Sequence, residues 1–189
     1  SFNPNVHKTA SSALRNRAVL DLFEPGSTMK IFSTVAILEQ LGTKADQPIA
    51  VKKKLMIEGR TIQDVGHHPQ GLLHLRDILK VSSNVGIATA VLSLPSGSLQ
   101  SLLQRFGFAS RLFSGFPGER SGQLSEASHL HQFDLGTLSF GYGISTSLMH
   151  LAHGLFILAN QGKDGPISFV KVAKPSPASS VVSPQIAQK

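Results

Sequence analysis

Cysteine is absent from the 189 residues, and with it go disulfides, a thiolate nucleophile and cysteine-ligated zinc. Any nucleophile is therefore an oxygen or a nitrogen. Charge is scarce as well: Asp, Glu, Lys and Arg make up 15% of the chain, against roughly 25% in an average soluble domain. With 41% hydrophobic residues, such a composition excludes a disordered or coiled-coil chain and fits one domain of usual size with much buried surface. The few charges are unbalanced, 18 Lys and Arg against 11 Asp and Glu, for a net charge of +7. That suits an anionic partner (nucleic acid, an acidic membrane surface or an anionic polymer) and selects none of them. No apolar run approaches the ~20 residues of a membrane span, and the opening Ser1-Phe2-Asn3-Pro4-Asn5 is not a signal peptide.

Residues 1–17 are polar, with Arg15-Asn16-Arg17 together, and predict a loop. Turn chemistry at Glu24-Pro25-Gly26 precedes Ser27–Leu41, which has no Pro or Gly and carries apolar residues nearly all round. This predicts a buried helix stopped by Gly42. Val51–Ile62 alternates weakly about Glu58-Gly59-Arg60 and predicts a hairpin; 66–71 predicts a loop. Leu72–Ser93 is expected to be mainly helical, with a short helix over Leu75–Leu79, a break at Ser82-Ser83-Asn84 and a second helix over Val85–Leu94. A polar, cap-forming tripeptide between two helices leaves its side chains free to face something other than a helical ladder. Helices are also predicted over Leu99–Phe106 and Ser147–Asn160, a Gly/Pro loop over Phe113–Gly122, and a strand over Ile167–Val172. There is no internal repeat and no strong domain boundary.

The sharpest chemical feature is Ser27-Thr28-Met29-Lys30. Residues three apart on a helix share a face, so hydroxyl and amine can meet as a nucleophile beside its base. The plain alternative is that Ser27 only caps the helix. A capping box, however, would place Glu or Gln where Lys30 stands, and a cation in the first turn lies at the positive end of the helix dipole. Burial and the dipole both disfavour the ammonium, which suits an amine that must take a proton. The pattern alone is weak. A second copy, Ser168 to Lys171, falls in the strand-like alternation where residues three apart point to opposite faces. Likewise Ser-x-Asn occurs at Ser1-Phe2-Asn3 and at Ser82-Ser83-Asn84, and only the latter sits in a break between helices.

Four ordered segments together are far more specific. Glu24 to Lys30, Lys80-Val81-Ser82-Ser83-Asn84-Val85-Gly86, Gly118-Glu119-Arg120-Ser121-Gly122 and Ser139-Phe140-Gly141-Tyr142-Gly143-Ile144 resemble the transpeptidase domain of class B penicillin-binding proteins, particularly the division-specific branch. The resemblance runs from Ser1 to about Val172. It implies the α+β penicillin-binding transpeptidase fold shared with serine β-lactamases, this stretch being mainly helical and lacking most of the central antiparallel sheet. It implies Ser27 as the serine acylated by the D-Ala-D-Ala end of a peptidoglycan stem peptide and by β-lactams, and Lys30 as its base. Ser82 would pass a proton to the leaving amine, and Asn84 would hold the substrate amide. The Ser27 backbone N–H would give one donor of the oxyanion hole. No cofactor and no metal are implied. The partners implied are the stem peptide, β-lactam antibiotics and divisome membrane proteins, at the periplasmic face of the inner membrane. The family's Lys-Thr-Gly motif is not found: Lys163-Asp164-Gly165 follows a helix and has an acid where a hydroxyl is needed. Residues 1–189 are thus expected to be a partial transpeptidase domain, an interior piece that ends before that motif and has little activity alone. A β-lactamase or β-lactam sensor of the same fold, or an inert scaffold piece, are the rival functions.

The remaining candidates have plainer readings. Eight His include His67-His68, His129, His131, and His150 with His153 one turn apart, but there is no Cys, no His-Glu-x-x-His and no acidic cluster, so structural roles are expected. Lys52-Lys53-Lys54 reads as a solvated face with almost no aromatics to stack bases, which argues against nucleic acid. Glu119 is expected to be structural rather than a base that activates water, and the glycines around Tyr142 to serve backbone packing near the site.

Overall fold

Helix α2, Lys30–Leu41, is the element about which the others are arranged, in contact with α3, α4, α5 and α8. The computed structural model describes residues 15–66, 68–171 and 178–189. Along them run α1 (Arg17–Leu20), α2, the strands β1 (Ile49–Val51), β2 (Lys54–Ile57), β3 (Arg60–Gln63) and β4 (Gly71–Leu73), then α3 (Leu75–Lys80), α4 (Asn84–Leu92) and α5 (Ser98–Arg105). Strand β5 (Gln123–Leu124), α6 (Gln132–Leu138), β6 (Ile144–Ser145), α7 (Leu148–Ala159) and α8 (Pro184–Ala187) complete the order. The result is an α+β arrangement, mainly helical as expected, with strands that pair only two by two and antiparallel among the described residues. The apolar character of α2 has the expected consequence: Phe32, Val35, Ala36 and Ile37 are buried, with the Phe32 ring edge-on to Phe106 and Phe108. Gly42, at φ 55°, stops the helix.

The break before α4 lies one residue earlier than expected, because Asn84 is already its first helical residue and Ser83 is the cap, its hydroxyl accepting the Gly86 N–H at 2.9 Å. Ser147 caps α7 in a box with His150, whose ring takes the place of the usual Glu or Gln. The hairpin is β2 with β3, closed by Glu58 and Gly59, both at positive φ. Val51 lies outside it, in β1, and pairs with Gly71 of β4, so Leu72 and Leu73 are strand rather than helix. Three-residue strands carry too short an alternation to be separated from the flanking loops. The strand expected over Ile167–Val172 does not form over 167–171, where the Ser168 hydroxyl instead closes a local turn with Val170. Val172, His67 and the opening loop to Leu14, with Ser1-Phe2-Asn3, lie outside the described residues.

Candidate active site

Ser27 sits in a single turn of 3₁₀ helix, Gly26–Met29, that feeds directly into α2. The tighter winding keeps the three-residue spacing useful: Ser27 is exposed, Lys30 is 2% exposed, and the Lys30 Nζ donates to Ser27 Oγ at 3.2 Å. The same amine donates to Ser82 Oγ at 2.9 Å and to the Ser82 carbonyl. Ser82 has φ 55°, a left-handed conformation that a serine adopts only at a cost of ~1–2 kcal/mol. In that conformation its carbonyl and its hydroxyl both reach one amine. Burial lowers the Lys30 amine from 10.5 to about 8, while the negative charge of Asp64 pulls it the other way.

Asn84 is half-buried at the start of α4 and its Nδ2 donates to the Gln63 carbonyl at 3.3 Å. Thus three of the four sequence candidates, Ser27, Lys30 and Ser82, are joined by direct hydrogen bonds, and Asn84 stands two residues beyond Ser82 on the turn that Asp64 grips. Asp64 is the residue the sequence did not reveal. Its Oδ2 accepts the Ser83 hydroxyl at 2.7 Å, and its Oδ1 accepts the backbone N–H of Asn84 and that of Val85, the latter at 3.0 Å. Those partners lie 19 to 21 positions away, and a lone acid after a short strand gives no periodic signal.

The segment Ser139–Ile144 packs on the nucleophile's turn from the other side. Gly26 donates its N–H to the Gly141 carbonyl at 3.2 Å, and a Cβ on Gly141 would lie 2.1 Å from the Gly26 oxygen. The Ser33 hydroxyl donates to the Ser139 carbonyl at 2.7 Å, and the Gly143 N–H to Glu24 at 2.8 Å. Gly141 therefore allows close approach of backbone to backbone, whereas a Cβ at Gly143 would meet nothing within 4 Å.

The other candidates fall to structural roles. Glu119 is buried and accepts the Ser114 hydroxyl and the N–H groups of Leu112, Phe113 and Ser114, so both oxygens are occupied within its own loop. Burial pushes its carboxyl up, yet the Ser114 hydroxyl and the three N–H donors hold it below its ordinary value. His150 is buried against the Ser110 carbonyl, and burial lowers its imidazole's proton affinity. His153 pairs with Asp164 at 2.7 Å, which takes the acid of Lys163-Asp164-Gly165 away from any substrate. Among the described residues no group of three His, Asp or Glu could hold a metal ion, and no helix is long and apolar enough to cross a membrane.

A buried amine thus reaches two serines, one on the turn that opens α2 and one in the turn between α3 and α4. The family model of the penicillin binding protein transpeptidase domain matches residues 1–189. The transpeptidase domain of penicillin-binding protein 3 from Burkholderia pseudomallei superposes with a TM-score of 0.83 at 28% identity, over 93% of this chain and 53% of that one. The fold is thus the penicillin-binding transpeptidase fold. The peptidoglycan D,D-transpeptidase FtsI of Escherichia coli K12 is 34% identical over 182 residues, 96% of this chain and 30% of FtsI. The probable peptidoglycan D,D-transpeptidase PenA of Neisseria flavescens is 34% identical over 192 residues, 100% of this chain and 47% of PenA. The chain belongs to the penicillin-binding protein transpeptidase family. It spans less than half the length of these curated relatives.

Proposed function

We propose that the protein carrying this chain is a serine D,D-transpeptidase that cross-links peptidoglycan, with Ser27 as nucleophile, Lys30 as base, Ser82 as proton relay and Asn84 as substrate holder. The observation that carries it is the single buried amine within hydrogen-bonding distance of both serine hydroxyls. Ser27 Oγ attacks the carbonyl carbon of the D-Ala-D-Ala peptide bond while its proton passes to Lys30 Nζ. The proton then crosses through Ser82 Oγ to the departing amine, the C–N bond breaks and D-Ala leaves. An amine of a neighbouring stem peptide attacks the resulting ester, loses a proton and restores the Ser27 hydroxyl. The Ser27 backbone N–H supports the oxyanion. A second donor and a cation for the substrate carboxylate are the work of a Lys-Thr-Gly strand, a motif absent from these 189 residues. β-Lactams mimic the substrate and stop at the ester.

The resemblance of its motifs to the division-specific branch makes a septal role part of the same proposal, with divisome membrane proteins as partners and the periplasmic face of the inner membrane as the place of work. A β-lactamase of the same fold is less well supported, since Glu119 is spent within its own loop. Labelling the full-length protein with a fluorescent β-lactam separates these. A long-lived adduct that Ser27→Ala abolishes is expected; rapid turnover of the adduct would favour the β-lactamase, and labelling that survives the substitution would move the nucleophile elsewhere.

A further inference from the structure

Asp64 touches no reacting atom in the scheme above, yet it binds the three residues that directly follow Ser82. One oxygen takes the Ser83 hydroxyl at 2.7 Å, the other the first two N–H groups of α4, Asn84 and Val85. Ser83 is fully buried and its hydroxyl at once donates to Asp64 and accepts from Gly86. These contacts fix the C-terminal side of Ser82. Its other side is held by Lys30, which takes both the carbonyl and the hydroxyl. A serine at φ 55° keeps that conformation only while its surroundings over-determine it. The Ser82 N–H donates to the Leu79 carbonyl and the Ser83 N–H to the Ile78 carbonyl, both at 3.0 Å, so Ser82 is the left-handed cap of α3; Asp64 ties that cap to the first turn of α4 through Ser83, Asn84 and Val85.

We propose that Asp64 is a positioning residue: through Ser83 and the first turn of α4 it anchors the cap of α3 on which Ser82 meets Lys30. This rests on the acyl-transfer function proposed for Ser27. The elements packed on α2 bring other charges near: Arg76, Asp77 and Lys80 of α3, Arg105 of α5, Lys44 and Asp46 of the turn after α2, and Lys189 beyond α8, whereas α4 carries none. Arg105 is spent on Glu39 of α2 itself. Among the described residues Asp64 alone exerts a charge effect on Lys30, opposite in sign to burial. The carboxylate thus anchors the geometry of the relay, and its charge partly offsets what burial takes from the Lys30 ammonium.

Two variants of the full-length protein test this. Asp64→Asn keeps the shape and an acceptor oxygen but removes the charge. Its Lys30 ammonium, followed by NMR titration, is expected to lose its proton at lower pH, and the acylation rate plotted against pH shifts the same way. Asp64→Ala removes the grip. Its acylation constant with a fluorescent β-lactam is expected to fall about 10²-fold, the scale of a misplaced catalytic group, with restoration toward the parental value in Asp64→Asn. A purely structural Asp64 would lower the melting temperature in both variants and leave the Lys30 titration where it was. That unchanged titration, or parental acylation in Asp64→Ala, overturns the proposal. Should Ser27 of the parent prove unreactive, the acyl-transfer function itself fails, and the Lys30 titration still decides the role of Asp64.

Discussion

At the scale of single residues the decisive quantity is how often Lys30 carries a free lone pair. With an amine lowered to about 8, about a tenth is neutral at pH 7, against about three in ten thousand at the ordinary 10.5. That gain of roughly 300-fold in competent enzyme is the burial penalty on the ammonium seen from the side of the base. The sign follows: the neutral base accumulates as pH rises, so acylation is expected to climb from pH 6 through about 8 and level off above it. A pre-steady-state pH profile checks this, and a profile that falls over the same range would remove Lys30 from the base role. The pair was legible because it breaks a local rule, a cation where a helix start wants an anion. Asp64 was not, because all of its partners are supplied by the fold: an Asp after a four-residue strand satisfies donors some twenty positions away. Ser82 was placed by its position in a break, but its positive φ, which aims it, is invisible to periodicity.

Among elements, one loop brackets the turn that bears the nucleophile and another is closed on itself. The Ser139–Ile144 loop touches the nucleophile's turn backbone to backbone, with no room for a side chain at Gly141. Gly141→Ala adds a clash to a residue at φ 90° and is expected to cost at least ~2 kcal/mol by thermal unfolding, with slower acylation as the turn shifts. The Phe113–Gly122 loop is pinned by Glu119 instead. Glu119→Gln should cost about 1–3 kcal/mol by denaturant titration, the range for a buried acceptor left poorly matched. Its proton affinity is lowered on folding, so its stabilisation is full above the ordinary glutamate range and lost as pH falls through the lower folded value. The cost of the Gln substitution is therefore expected to shrink in acid. Helices α2, α3, α4, α5 and α7 were legible within about three residues from their apolar runs and glycine stops, whereas α1, α6 and α8, the first and last only four residues long, were not. Strands were less so: β1 and β4 are too short to show a period, and Ile167–Lys171 shows the period without pairing, because alternation specifies a strand only where a partner edge exists.

For the molecule as a whole, the low charge share and the exposed apolar residues belong together. Tyr142, Phe156, Phe113 and Val170 are all about half exposed or more, a dispersion of apolar surface that fits a chain spanning less than half of its relatives' length. The 189 residues expressed alone are expected to label weakly or not at all with a β-lactam, lacking the Lys-Thr-Gly contribution, whereas labelling at the full-length rate would show that one oxyanion donor suffices. The contacts that assemble the site also set when it can form. Lys30 meets Ser82 across 52 positions, Ser33 meets Ser139 across 106 and Glu24 meets Gly143 across 119, so each must close a long loop before it repays the entropy of closure. Each helix can form on contacts within itself first, leaving the catalytic turns, which need those closures, to lock late. For Gly141→Ala the expected kinetic signature is thus faster unfolding with an almost unchanged refolding rate: the chemistry resides in the last part of the chain's structure to arrive and the first to leave.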